Sequence, residues 1–260
     1  MIPEGLRKRM LFLDFWTRWK GKTVRSLRER GVLGTVKRAA ALVKRCVTDR
    51  WLLYHLSSPW DRYMDKRFDR RFAVDTAGLL DLPELKFDPR FRHAVNYRPT
   101  PRPVFFRMLR RLDVDYSSFV FIDFGCGKGK VLFLAAELPF TRIVGIELSS
   151  KLFRVAENNL RNYLGPRTCN AVQLVCMDAS EYEIPEGRAI YYFYNPFTAE
   201  VMRKVLENIR RSLAATPRET YVVYFNHVLK DVLDESGFLM PIKQTRLYSI
   251  YKASVCADAN

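Results

Sequence analysis

The chain has 260 residues and a formal charge of +16, from 44 Lys and Arg against 28 Asp and Glu. With 48% apolar residues it holds a core for one α/β domain of roughly 150 to 200 residues plus an extension, which excludes a fibrous or wholly disordered chain. No apolar run approaches the roughly 18 residues that span a bilayer, and five cysteines without a CxxC pair indicate neither a disulfide framework nor a metal site, which fits a reducing, cytoplasmic setting.

The charge lies at the front. Residues 1–110 hold 26 basic and 11 acidic residues, and residues 111–260 hold 18 and 17. Over residues 1–60, Leu6, Met10 and Leu13 fall at helical spacing beside Arg7, Lys8 and Arg9, so this stretch reads as a basic amphipathic helical extension. Three roles stay open for it: a helix covering the domain, an anchor at an anionic surface (membrane or nucleic acid), and a mitochondrial transit peptide. Residues 61–112 form a lead-in and loop. Three prolines within 99–103 argue against a regular helix there, and Val104, Phe105, Met108, Leu109 and Leu112 mark an amphipathic helix after them.

From residue 113 to 253, β-rich runs alternate with helical patterns, the signature of a parallel sheet with helices on both faces. Strands are expected near 119–124, 141–147, 171–176, 189–194 and 219–226, with helices near 128–138, 149–163 and 198–213. Two last strands near 238–244 and 246–252 are spaced to pair as an antiparallel hairpin at the sheet edge, and residues 254–260 are a tail.

The first strand runs into Asp123, Gly125, Gly127 and Gly129. This GxGxG spacing departs from the GxxxxGK[ST] phosphate loop and from the GxGxxG of dinucleotide sites, and an acidic residue opening the turn would repel a pyrophosphate. Asp123 suits a ligand that carries an ammonium group. The second strand ends at Glu147, about 20 residues on, where a carboxylate can accept hydrogen bonds from both hydroxyls of a ribose. The third ends at Met177-Asp178, placed to pack on an adenine and to accept from its amino group. A helix N-cap is the other reading of Asp178.

These pieces, in this order, resemble the class I (Rossmann-like) S-adenosylmethionine-dependent methyltransferases. The resemblance implies a seven-stranded, mostly parallel sheet, with S-adenosyl-L-methionine held at Asp123, Gly125, Gly127, Glu147 and Asp178, and an acceptor site beyond the fourth strand. There stands Tyr194-Asn195-Pro196-Phe197, similar to the Asn-Pro-Pro-Tyr motif of amino-group methyltransferases but lacking its second proline. It implies that Asn195 and Pro196 accept an amine's hydrogens while Phe197 packs against the acceptor; a simple turn is the alternative. Tyr97-Arg98-Pro99-Thr100 resembles the cofactor-covering loop of non-SET lysine methyltransferases, which would add Tyr97 and Thr100 to the cofactor contacts. His227 is the one histidine near a strand end where a base could reach, although a hydrogen-bonded loop histidine is the plainer reading, and Cys126 reads as packing. The function implied is N-methylation of a protein lysine or another amine, without a metal. RNA or DNA methylation and a non-catalytic cofactor-binding scaffold are the alternatives.

Overall fold

The structure, a computed structural model, describes residues 59–78 and 97–254. The helices expected over 1–60 fall outside the described residues, apart from the last two positions, as does all of the tail after Ser254.

Chain order gives α1 Pro59–Phe72, α2 Arg102–Leu109, β1 Val120–Phe124, α3 Lys130–Ala136, β2 Arg142–Glu147, α4 Ser150–Asn162, β3 Val172–Cys176, β4 Ala189–Tyr194, α5 Ala199–Ala215, β5 Thr220–Phe225, α6 Lys230–Asp234, β6 Leu239–Gln244 and β7 Tyr248–Ala253. The seven strands form one sheet in the order β3-β2-β1-β4-β5-β7-β6. All neighbours pair in parallel from β3 to β5, whereas β7 runs antiparallel to both β5 and β6. The expected edge hairpin is therefore present. Pro241 lies in edge strand β6, where its missing N–H breaks no inner ladder.

The central strands are apolar throughout because both faces are covered. Phe121, Tyr192 and Val223 join one core with α2 and α3, while their neighbours Ile122, Tyr191 and Val222 join a second core with α5. This alternation is the two-residue period of a strand read against two helical layers. On α5, Met202, Val205, Leu206, Ile209 and Leu213 carry the buried stripe, each contributing about 1.5–3 kcal/mol of apolar burial. Ser149 caps α4, its Oγ accepting from the Leu152 amide at 3.3 Å.

One local expectation is corrected, and one that stood open between a structured segment and a loop is resolved. The helix expected from Val104 begins at Arg102, with Pro103 in its first turn, because proline lacks only a donor that the first turn leaves unused. The front of the lead-in is also helical: α1 extends to Phe72 and docks through Phe68 and Phe72, whose rings meet Tyr163 at 6.4 and 5.5 Å.

Candidate active site

β1 delivers the chain to the carboxyl edge of the sheet, where a tight turn leads into α3. Gly125, Gly127 and Gly129 have φ of 83°, 57° and 84°, a left-handed run that side chains disfavour. Gly129 sits at the N-cap, which is why the helix starts at Lys130 and not at Lys128. The neighbours of these glycines are informative. A β-carbon on Gly125 would lie 2.5 Å from Pro196 Cβ, and one on Gly127 would overlap the Tyr97 ring. The turn thus touches both the loop before it in sequence and the Asn195-Pro196 turn after β4.

The Gly127 amide donates to Glu147 Oε2 at 2.9 Å, and the Ser149 amide to Glu147 Oε1 at 2.8 Å. The Met177 amide donates to the Glu147 carbonyl at 3.2 Å. Tyr97, Gly127, Glu147 and Met177 therefore follow one another across three strand ends, and the Glu147 carboxylate is oriented by backbone amides at the edge of the turn.

Asp123 is 2% exposed, and its carboxyl accepts no hydrogen bond from the described residues. Burial raises its pKa well above the ordinary carboxylate value, and the charge of Glu147 adds to the shift. Burial raises Glu147 as well, opposed by the amides of Ser149 and Gly127. A buried carboxyl without a protein partner is costly unless a cation is supplied. The ammonium of an amino-acid ligand meets that need. Burial, followed by the charges of Asp123 and Glu147, pushes the Cys126 thiol well up, so this cysteine packs and does not attack.

A strap after α1 seals the turn from outside. Tyr97 Oη donates to the Thr76 carbonyl at 2.8 Å, and Thr76 is held by Asp69. Lys128 Nζ bonds Asp75 Oδ1 at 2.8 Å, Lys130 is ion-paired with Asp65 of α1, and Asn159 of α4 bridges the carbonyls of Asp75 and Lys128. None of Asp65, Asp75, Lys128, Lys130 and Asn159 stands out in the sequence. Their one signal is the pair of lysines flanking Gly129.

Thr100 is buried, its Oγ1 2.8 Å from Tyr192 Oη, so its hydroxyl is already partnered within the protein. Asp178 caps a short 3-10 turn, Oδ1 accepting from both Ser180 N and Oγ at 2.8 Å, which leaves Oδ2 unused by those bonds. Asn195 has φ 46°, and its Oδ1 accepts from Tyr224 Oη at 3.2 Å. Phe197 is packed into the core edge-on to Phe193, which leaves Asn195 and Pro196 as the more open part of the turn. His227 is buried with Nδ1 2.6 Å from Ser249 Oγ. Among the described residues no group of three or more His, Cys, Asp or Glu is placed to hold a metal ion, and no helix is long and apolar enough to cross a membrane.

Residues 121–216, which run from within β1 through this turn to the end of α5, match the family described as methyltransferase domain. The chain carries a class I methyltransferase domain. The methyltransferase is an S-adenosylmethionine-dependent enzyme, and the orphaned Asp123 carboxyl with the doubly held Glu147 fits that cofactor's ammonium and ribose. Solved structures similar to it include an RNA methyltransferase from Salinibacter ruber in complex with S-adenosyl-L-homocysteine, 23% identical over 63% of this chain and 97% of that one, TM-score 0.42. A precorrin-6y C5,15-methyltransferase from Geobacter metallireducens is 16% identical over 60% and 89%, TM-score 0.43. A ribosomal protein L11 methylase from Lactobacillus delbrueckii subsp. bulgaricus is 14% identical over 58% and 76%, TM-score 0.41. None of the curated proteins matches the methyltransferase.

Proposed function

We propose that the enzyme methylates a nitrogen, on a protein lysine or another amine. The observation that carries this reading is the contact of Pro196 with Gly125, which puts the Asn195-Pro196 turn directly against the cofactor turn. S-adenosylmethionine supplies a sulfonium-bound methyl group that passes to a lone pair by direct displacement. Asp123 provides the counter-charge for the donor's ammonium, Glu147 accepts from its ribose hydroxyls, and Asp178 Oδ2 and Met177 receive the adenine. Tyr97 closes the turn over Gly127, and Thr100 supports it through Tyr192. Asn195 Oδ1 keeps a lone pair beside the one used by Tyr224, and the Pro196 carbonyl is a second acceptor for an amine's hydrogens; Phe197 backs the turn from the core. Orientation is the main demand on such a site. The tie between His227 and Ser249 supports a reading without a histidine base.

The test incubates the enzyme with labelled S-adenosylmethionine and a lysate of its source, beside Asn195→Ala. Label on protein that hydrolyses to a methylated amino acid, and that is lost with the variant, is expected; equal labelling by the variant overturns the reading.

Methylation of RNA or DNA is favoured by one observation. On α1, Asp65 and Asp69 are engaged by Lys130 and by Thr76 and Ala77, while Arg62, Lys66, Arg67, Arg70 and Arg71 are exposed. The helix shows solvent a cationic face, of a kind suited to phosphates. In the organisation we propose, residues 1–60 are a basic extension that engages an anionic partner, nucleic acid or membrane surface, the lead-in spans 61–112 and the catalytic domain 113–253, in a cytoplasmic protein. Nucleic-acid affinity that falls steeply with salt would support the second reading, and binding confined to anionic vesicles would count against it.

A further inference from the structure

β4 and β5 are paired with Tyr194 beside Phe225, so the next residue of each strand, Asn195 and Asn226, are register neighbours at the carboxyl edge. Both are left-handed, with φ of 46° and 47°. Asparagine tolerates that conformation better than most side chains, and two adjacent strands end on the same device.

The two carboxamides are used differently. Asn195 accepts from Tyr224 Oη, and that hydroxyl in turn accepts from the Leu229 amide at 3.2 Å. Asn226 is 8% exposed, and its backbone is satisfied: its amide donates to Leu247 O and its carbonyl accepts from Val228 N, both at 2.7 Å. Its side chain has no hydrogen-bond partner among the described residues. A carboxamide with little exposure, no protein partner and its polar atoms still open to solvent beside an acceptor turn is a candidate for pairing with a ligand. Tyr224 is committed to Asn195 and Leu229, and His227 to Ser249.

We propose that Asn226 is a specificity-determining contact of the acceptor site, and that for a primary amine its amide oxygen takes the place of the Pro196 carbonyl, so that Asn226 and Asn195 each accept one hydrogen from the nitrogen to be methylated. This rests on the amine reading above and narrows it to acceptors with two N–H groups. A neutral primary amine offers two hydrogens and one lone pair; two carbonyl oxygens take the hydrogens and leave the lone pair for the methyl. A hydroxyl has only one hydrogen and leaves one oxygen unpaired, the kind of mismatch that polar sites reject. The acceptor nitrogen gains the N–CH3 bond as the S–CH3 bond breaks, sulfur keeps the bonding pair as a neutral thioether, and the nitrogen sheds one proton to solvent.

The test uses the full chain and two cofactor analogues. S-adenosylhomocysteine lacks the methyl, whereas sinefungin carries an amino group where that methyl would stand. Calorimetry gives the ratio of their affinities. Asn226→Gly, which suits the left-handed backbone, is expected to lower the preference for sinefungin about tenfold while S-adenosylhomocysteine binds as before. Asn226→Asp keeps shape and backbone, and its carboxylate should raise the preference several-fold. An unchanged ratio in both variants overturns the assignment. If Asn195→Gly lowers the ratio while both Asn226 variants leave it alone, Asn226 is excluded and the amine reading stands; if no variant moves it, the amine reading falls too. Failure of the wild type to bind either analogue refutes the cofactor site itself.

Discussion

Pro196 stands so close to the bare α-carbon of Gly125 that a β-carbon there would lie 2.5 Å from its own. The donor turn and the acceptor turn are thus one packed unit, and what disturbs one displaces the other. Gly127→Ala should weaken donor binding. It forces a side chain into φ 57° and into the Tyr97 ring, a strain of about 1–2 kcal/mol before any repacking. Titration with S-adenosylhomocysteine should show at least a ~10-fold loss of affinity. Gly187→Ala is the control, since nothing lies within 4 Å of its added carbon; affinity retained by Gly127→Ala would contradict the arrangement.

Asp123 makes donor binding depend on pH. Its pKa is raised in the free protein, so between the unfolded carboxylate value and that raised value the folded state holds the extra proton, and stability falls as pH rises through the window. An ammonium beside it favours the carboxylate. Affinity for S-adenosylhomocysteine should therefore rise with pH across the window, below the titration of the ligand's own ammonium, with release of a proton. Calorimetry in buffers of different ionisation enthalpy counts that proton. Asp123→Asn should flatten the dependence, and a variant that still releases the proton would point to Glu147 instead.

The Lys130 side chain is 3% exposed and paired with Asp65, whose carboxyl burial nevertheless raises above its ordinary value. Removing one charge of a buried pair strands the other, at a cost of about 3–5 kcal/mol. Asp65→Asn should lower stability to urea by that order, and Asp65→Leu combined with Lys130→Met should recover most of the loss. Equal stability of the single variant and the wild type would show the pair to be solvated.

Tyr224→Phe deletes the hydroxyl that holds Asn195 and leaves the core ring in place. The lost hydrogen bonds are worth about 1 kcal/mol each. Methyl transfer to the labelled acceptor should drop several-fold while S-adenosylhomocysteine binding stays the same. A fall in cofactor affinity of the same size would instead mark Tyr224 as part of the donor site.

The strands were legible because each is a short apolar run bounded by turn residues, and in a sheet covered on both faces such runs need no partner to be recognised. Gly125, Gly127 and Glu147 were legible for a similar reason, since their spacing follows from one βαβ unit. α1 was harder to read. Among its described side chains the buried face holds Phe68, Phe72 and acids at residues 65 and 69, so it looks like a charged lead-in until Lys130 and Thr76 are known to engage those acids. Asn226 was passed over for a related reason. Burial without a partner is a property of three dimensions, and in the sequence it is one more polar residue after a strand. Phe197 carried the motif's likeness, yet its ring belongs to the core, because the turn before α5 needs an apolar anchor.

The bond between Asp75 and Asn159 spans 84 residues. During synthesis the strap emerges first and finds neither the glycine turn nor α4 to hold, so it waits while about a third of the catalytic domain is made. Closure over the donor turn is then a late event on the ribosome. A nascent chain arrested before α4 should leave the strap open to protease, and one arrested after β3 should protect it.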